Sequence, residues 1–146
     1  MNTQVSRDVV IQRLDRIQEL LAEMRGIGVP DAEKLRDDHV TRYALERLAT
    51  LIVDTATALN SHITSRVLQR VATTYAESFD LIADVGALER SFAARIRNSA
   101  KLRNLLIHDY ADIDYDVLSK ALRQLVDDYD RYRTQVARWL KDSTES

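Results

Sequence analysis

The stretch Lys101-Leu102-Arg103-Asn104-Leu105-Leu106-Ile107-His108-Asp109-Tyr110 places a cation, an amide, an imidazole and a phenol in an otherwise apolar segment. On a helix, which turns by about 100° per residue, Asn104 and His108 lie one turn apart on the same side. Arg97 and Lys101 continue this strip toward the N-terminus. The pattern therefore predicts a helix that ends near His108 and carries a cationic polar strip.

The opposite side of this helix is apolar. It carries Leu102, Leu105 and Leu106, which we expect to be packed inside the protein. Arg103 falls at the edge of this apolar arc. A charged side chain in that position either pairs with an acidic residue, such as Asp109 or Asp112, or has a function of its own.

The rest of the chain is also predicted to be helical, because it contains only three glycines and one proline. Apolar residues at three- and four-residue spacing predict helices from Val5 to Arg25, from His39 to Ile63, from Leu88 to His108, and from Asp114 to Lys141. Asp114 is the predicted N-cap of the last of these helices. A capping box, Thr74 to Glu77, starts a further short helix that ends before Gly86. We predict an all-α, up-and-down bundle of four main helices plus a short one, formed by residues 1–146 as one domain.

Composition restricts the function. The 146 residues contain no cysteine, which excludes thiolate chemistry, and the net charge is only −2, so an RNA site would have to be a local patch. No apolar run reaches the ~20 residues that cross a membrane, so we expect a cytoplasmic protein. The acidic residues after His108 are better explained as the start of the last helix than as a metal site. We expect neither a metal nor a cofactor.

Charged residues on the predicted His39 to Ile63 helix have two interpretations. Glu46, Arg47 and Asp54 form a solvated face or line the groove opposite the motif helix. His39 and His62 lie too far apart on this helix to share a metal, and we interpret both as surface or end-capping histidines.

The motif itself, Arg103, His108 and Tyr110, is Arg-x4-His-x-Tyr with Asn104 directly after the arginine. It resembles the signature of HEPN-domain ribonucleases and, more narrowly, of the HepT toxins of HepT/MntA toxin-antitoxin pairs. The resemblance extends to Arg42–Arg47, Asn60–His62 and Tyr75–Phe79.

The resemblance implies a HEPN-like homodimer that cleaves RNA without a metal. Among the residues, His108 has the side chain best suited to proton transfer near neutral pH, Arg103 can grip a phosphate, and Asn104 can orient the imidazole. Arg97 and Lys101 would add phosphate contacts. Positions five apart point about 140° from each other on a helix, so a two-fold dimer is needed to bring Arg103 and His108 to one cleft.

Tyr110 is the second candidate. The resemblance implies that it is the residue on which an MntA-like nucleotidyltransferase antitoxin places AMP, which would inactivate the toxin. The alternative is that Tyr110 is a core aromatic residue between the last two helices. For the whole protein, the alternative function is a non-catalytic helical partner, or a substrate-presenting subunit, of a nucleotidyltransferase.

Overall fold

The computed structural model describes residues 5–108 and 112–145, and every regular element within these ranges is an α-helix. In chain order they are α1 (Arg7–Ile27), α2 (Ala32–Asp37), α3 (His39–Val67), α4 (Tyr75–Val85), α5 (Arg90–Ile96), α6 (Asn98–His108) and α7 (Tyr115–Glu145). The all-α prediction is confirmed. The predicted helix from Leu88 to His108 is wrong in one respect, because it consists of two helices that meet at Arg97.

The helix ends follow from local hydrogen bonding. Thr74 Oγ1 accepts from the Glu77 backbone N–H at 3.1 Å, and Asp114 Oδ1 accepts from the Val117 N–H at 3.2 Å, so both predicted caps are confirmed. Gly86 ends α4 with φ = 94°, a left-handed conformation that glycine adopts without strain. These short-range signals locate the starts of α4 and α7 and the end of α4.

The break at Arg97 involves no proline or glycine. Ser99 Oγ donates to the Ile96 carbonyl at 2.7 Å, and the Ala100 N–H bonds to the Arg97 carbonyl at 3.1 Å, a three-residue spacing. A serine hydroxyl that donates to a backbone carbonyl competes with the regular four-residue helical hydrogen bond. The helix therefore changes locally to the tighter three-residue spacing. Arg97 is therefore the hinge residue before α6 and not a member of its first turn.

Helix α3 is the axis of the bundle, and α7 runs in the same direction beside it. Arg42 Nη1 donates to the Tyr115 hydroxyl at 3.2 Å at one end of the pair, and the Tyr132 hydroxyl donates to Asn60 Oδ1 at 2.6 Å farther along. The two contacts advance by 18 residues on α3 and 17 on α7, as expected for parallel helices.

Helix α4 also follows the direction of α3. Asp54 and Tyr75 line one cavity, and Asn60 Nδ2 donates to Ser78 Oγ at 3.0 Å. The segment 68–74 therefore returns along α3 before α4 begins. In that segment Gln69 has φ = 55°, the one non-glycine residue with positive φ among the described residues.

Helix α6 runs in the opposite direction to α4. Arg97 pairs with Asp80 at 3.3 Å, whereas Arg103, six residues later, lies over the Tyr75 ring, nearer the start of α4. Since α4 follows α3, α6 is antiparallel to α3 as well. His108 therefore lies beyond Arg103, toward the N-terminal half of α3.

The hydrophobic core is built mainly from the other helices. Its buried members come from α1, α2, α3, α4, α5, α7 and the α4–α5 connection, while α6 adds Leu102 and Leu106 as partly buried neighbours. The expectation that Leu102, Leu105 and Leu106 lie inside is confirmed only in part. Leu102 and Leu106 pack against the core, but all three leucines are only partly buried, and Ile107 is 45% exposed. The helical periodicity also predicts that Tyr43 on α3 and Val117 on α7 lie on apolar sides, but both are more than half exposed. In the described part of the chain, no helix combines the length and apolarity needed for a membrane crossing.

Candidate active site

Arg103 is held from one side. Its Nε donates to Asp54 Oδ1 at 2.9 Å, and its guanidinium carbon lies 4.6 Å from the centre of the Tyr75 ring. Its Nη1 makes a longer contact, 3.5 Å, to Asn104 Oδ1. An arginine has five N–H donors, so an anchor at Nε leaves terminal donors for an anion. The acidic partner expected near the motif, Asp109 or Asp112, is instead Asp54 on α3.

Asp54 decides between the two interpretations of the α3 charges. The Asp54 carboxylate contacts the motif helix, so it lines the groove opposite that helix. Glu46 lies 3.9 Å from Arg42 on its own helix and is also largely buried, whereas Arg47 is exposed. The groove interpretation is confirmed for Asp54 alone.

A buried chain of hydrogen bonds supports the tyrosine under Arg103. The Tyr132 hydroxyl donates to Asn60 Oδ1 at 2.6 Å, Asn60 Nδ2 donates to Ser78 Oγ, and Ser78 Oγ donates to the Tyr75 carbonyl at 2.7 Å. Complete burial raises the pKa of Tyr132, so its phenol stays a neutral donor. Because each member is bonded to the next, the backbone of Tyr75 is fixed relative to α3 and α7.

Asn60, Ser78 and Tyr132 support the site although no motif in the sequence predicts such a role for them. The available signal was Asn60 itself, an amide among Ala56, Leu59 and Ile63 on the apolar side of α3, where a buried polar group requires partners. Its partners, Ser78 and Tyr132, lie 18 and 72 residues away in sequence, and helical periodicity does not pair such distant positions.

His108 is the last residue of α6 and is exposed, as is Asn104 one turn before it. The helix is unbroken from Asn98 to His108, so Arg103 and His108 are separated by about 7.5 Å along the axis and about 140° around it. Arg103 faces the groove between α3 and α4. One copy of the chain therefore does not direct both side chains at the same point.

The two proposed RNA-binding residues differ. Arg97 is paired with Asp80 at 3.3 Å and lies at the hinge, so it does not continue the strip on α6 as expected. Lys101 lies on α6, is exposed, and forms no ion pair within residues 5–108 and 112–145. The strip on α6 consists of Lys101, Asn104 and His108.

Tyr110, the candidate modification site, lies outside the described residues, as does Asp109. The described ranges contain no group of three or more His, Cys, Asp or Glu side chains that could hold a metal ion. Tyr115, the next tyrosine in the chain, accepts a hydrogen bond from Arg42 and packs against its guanidinium at 5.3 Å.

Comparison with known proteins gives a family and a fold. A family model described as Ribonuclease HepT-like matches residues 10–136. No curated protein matches the sequence significantly.

Several solved structures share the fold, each of the following at 14% sequence identity. The tri-AMPylated Shewanella oneidensis HEPN toxin in complex with MNT antitoxin matches with a TM-score of 0.81 over 91% of this chain and 99% of its own. A mutant of the toxin-antitoxin MntA-HpeT matches with a TM-score of 0.78 over 90% and 99%. YutE from Bacillus subtilis, a cytosolic protein of unknown function, matches with a TM-score of 0.78 over 95% and 93%. At this identity the likeness concerns the fold.

Proposed function

This chain belongs to the ribonuclease HepT-like family, and we propose that it is the toxin of a HepT/MntA-type toxin-antitoxin pair, a metal-independent endoribonuclease of the cytoplasm. In this proposal residues 1–146 form one HEPN-like domain that acts as a homodimer. The observation that carries the proposal is the anchoring of Arg103. Asp54 and Tyr75 hold it from one side, on the same helix as the exposed His108, which is how a protein presents a guanidinium to an anion.

The proposed reaction is an internal phosphate transfer. His108 accepts the proton of a ribose 2′-OH, the 2′-oxygen attacks the adjacent phosphorus, and the bond from phosphorus to the 5′-oxygen breaks. A water molecule gives a proton to the departing 5′-oxygen and regains one from the protonated His108, so the products are a 2′,3′-cyclic phosphate and a 5′-hydroxyl. Arg103 stabilises the charge on the phosphate oxygens, and Asn104 orients the imidazole one turn away.

The helix geometry supports the proposed homodimer. Since Arg103 and His108 of one chain diverge by about 140°, a two-fold axis beside α6 would bring each His108 toward the Arg103 of the other copy. The apolar residues of α6 support this arrangement, because Leu105 and Leu106 are only partly covered and Ile107 is 45% exposed. A second copy would bury them.

RNA on either side of the cut would be bound by contacts between basic side chains and its phosphate groups. Lys101, exposed on the same strip as His108, is the stronger candidate for a phosphate contact. Arg97 would have to exchange Asp80 for a phosphate, and its side chain is 44% exposed, which leaves it accessible for that exchange.

The antitoxin proposed for this toxin is a nucleotidyltransferase of the MntA type. A HEPN toxin with a similar fold is tri-AMPylated and in complex with MNT antitoxin. Tyr110 follows the last residue of α6 by two positions, so AMP attached there would add bulk and negative charge beside His108. RNA phosphate would then be excluded from the same cations.

The direct test is cleavage of RNA by the purified protein in EDTA. We expect His108→Ala to abolish the cleavage and Arg103→Ala to lower it by about 100-fold or more. His39→Ala and Arg90→Ala, which change an exposed histidine and an exposed arginine elsewhere, should retain it. Binding to the nucleotidyltransferase with no RNA cleavage by the parent protein would support the alternative, a non-catalytic partner of that enzyme.

The modification has a separate test. Tyr110→Phe removes only the acceptor oxygen, so it should cleave RNA like the parent but escape labelling by the antitoxin with ATP and Mg²⁺. Intact mass should show increments of about 329 Da on the parent and none on the variant. Equal labelling of both proteins would place the acceptor elsewhere.

A further inference from the structure

A cavity of about 270 Å³ lies beside Arg103, between α3 and the segment that leads into α4. Asp54 and Tyr75, the two residues that hold Arg103, form part of its wall, and Ala58 and Ser61 extend it along α3. Because α6 is antiparallel to α3, the direction from Asp54 to Ser61 leads away from His108. Arg103 therefore stands between this cavity and the histidine.

The cavity wall is polar, and several of its groups have no protein partner. The Ser61 hydroxyl, the Tyr75 hydroxyl and Asp54 Oδ2 have no hydrogen-bond partner within residues 5–108 and 112–145, whereas Thr57 is bonded to the carbonyls of Val53 and Asp54. No lysine or arginine lines the cavity in the described ranges. Its occupant should therefore be an uncharged group with N–H donors, not a phosphate.

We propose that this cavity binds the base of a nucleotide that flanks the cut phosphate, and that it favours a base with an exocyclic amino group over uracil. The inference rests on the proposed ribonuclease function. Unstacked RNA bases bind against aromatic rings, and Tyr75 supplies one in the cavity wall. The open carboxylate oxygen of Asp54 accepts from an amino group, as acidic side chains accept from cytosine N4. The phosphate then falls on the other side of Arg103, toward His108.

The test uses short 2′-O-methyl RNAs with one ribonucleotide, so that a single bond can be cut. The base on either side of that bond is adenine, cytosine, guanine, uracil or an abasic residue. At one of the two positions, we expect the parent protein to cut the amino-bearing bases about 5- to 100-fold faster than the abasic substrate, in line with the usual contribution of one stacked base.

The informative variant is Ala58→Leu, which fills the cavity from a half-buried position one helical turn beyond Asp54. It should lose the base preference and cut the abasic substrate as the parent does. The same substitution on the exposed face of α1, Ala22→Leu, is the control and should keep the preference. Equal rates for all bases in the parent, or an unchanged preference in Ala58→Leu, would overturn the proposal.

Binding separates this proposal from the ribonuclease function itself. In a His108→Ala background, Ala58→Leu should weaken binding of the amino-bearing RNA and leave binding of the abasic RNA unchanged, as measured by fluorescence anisotropy. If the parent protein cuts no RNA but this difference is found, the catalytic proposal fails and the base site stands. If binding of both RNAs is unchanged by Ala58→Leu, the base site fails, whatever the cleavage result.

Discussion

Two arginines in this protein have the same kinds of neighbours and different roles. Arg42 is 9% exposed, its Nη1 donates to the Leu35 and Arg36 carbonyls and to the Tyr115 hydroxyl, and its guanidinium lies between the rings of Tyr43 and Tyr115. Arg103 has one carboxylate, one ring and a longer contact to its neighbour Asn104.

The difference shows what separates a structural arginine from one that can act on a substrate. Arg42 joins α2, α3 and α7 because protein oxygens and rings surround it. Arg103 is fixed in direction by Asp54 and Tyr75 and retains donors for an external anion. A charged residue next to an acid and a tyrosine is therefore not enough to indicate function. The exposure of the side chain is the informative quantity, and it is 11% for Arg42 and 22% for Arg103.

The largest expected effect is the contrast between alanine variants of these two residues, one of which should lose cleavage and the other stability. Arg103→Ala should lower RNA cleavage by about 100- to 1,000-fold, since it removes charge stabilisation of the transition state, with little change in stability. Arg42→Ala should lower the free energy of unfolding by about 3 kcal/mol or more, because the Leu35 and Arg36 carbonyls and the Tyr115 hydroxyl then lose their hydrogen-bond donor. Cleavage rates and urea denaturation of both variants measure this contrast. Similar stability losses in the two would remove the distinction.

The next effect tests the anchor. Asp54→Ala leaves Arg103 without its fixed direction, and a displacement of about 1 Å can lower a rate about 100-fold, so we expect a loss of roughly 10- to 100-fold in cleavage. Asp84→Ala is the matched control, because it removes an exposed ion pair with Arg90. If Asp54→Ala cleaves RNA as well as Asp84→Ala does, Asp54 does not position the arginine.

A smaller effect is expected at the proposed phosphate contacts. Lys101→Ala should reduce the salt dependence of RNA binding by about one unit of slope, equally for different sequences. Arg97→Ala should change it less, since Arg97 is already paired with Asp80. Titration of RNA at several salt concentrations measures both slopes, and a larger change for Arg97 would reverse this ranking.

The smallest effect concerns a histidine with a structural role. His62 Nε2 accepts from the Ser6 N–H at 3.1 Å, and the pKa of His62 is lowered by burial and by Arg66 and Arg13. A folded-state pKa below the unfolded value means that the unfolded chain takes up the proton more readily. The contribution of His62 to stability should therefore be present above about pH 6.5 and decline as the pH falls below it.

This decline is measurable by thermal denaturation between roughly pH 7.5 and 5.5. His62→Gln, which keeps an acceptor but does not titrate in this range, should flatten the pH dependence. His39→Gln, at the exposed start of α3, should leave it as in the parent. An unchanged pH profile in His62→Gln would exclude this role.

Local sequence signals predicted much of the fold. The capping residues Thr74 and Asp114 and the glycine at 86 placed helix ends correctly, because each acts on its own neighbours. The break at Arg97 was missed because a Ser99 hydrogen bond, and no helix-breaking residue, produces it.

For the site, the sequence predicted the position of the motif on its helix but not its contacts with distant residues. The motif was correctly expected near the end of a helix, but the partner of Arg103 was sought at Asp109 or Asp112, and it is Asp54, 49 residues away. The leucines of α6 were expected inside, yet periodicity gives the apolar side of a helix and not what covers it. Their partial exposure is explained if a second copy covers them.

The shared cleft is the central claim, and mixing two inactive variants tests it most directly. Arg103→Ala and His108→Ala proteins are unfolded together, refolded at equal concentration and assayed for RNA cleavage in EDTA. If each arginine works with the histidine of the other copy, a mixed dimer retains one intact pair, and the mixture should recover roughly a quarter of the parent rate. A mixture that forms mixed dimers but cleaves no faster than either variant alone would contradict the account.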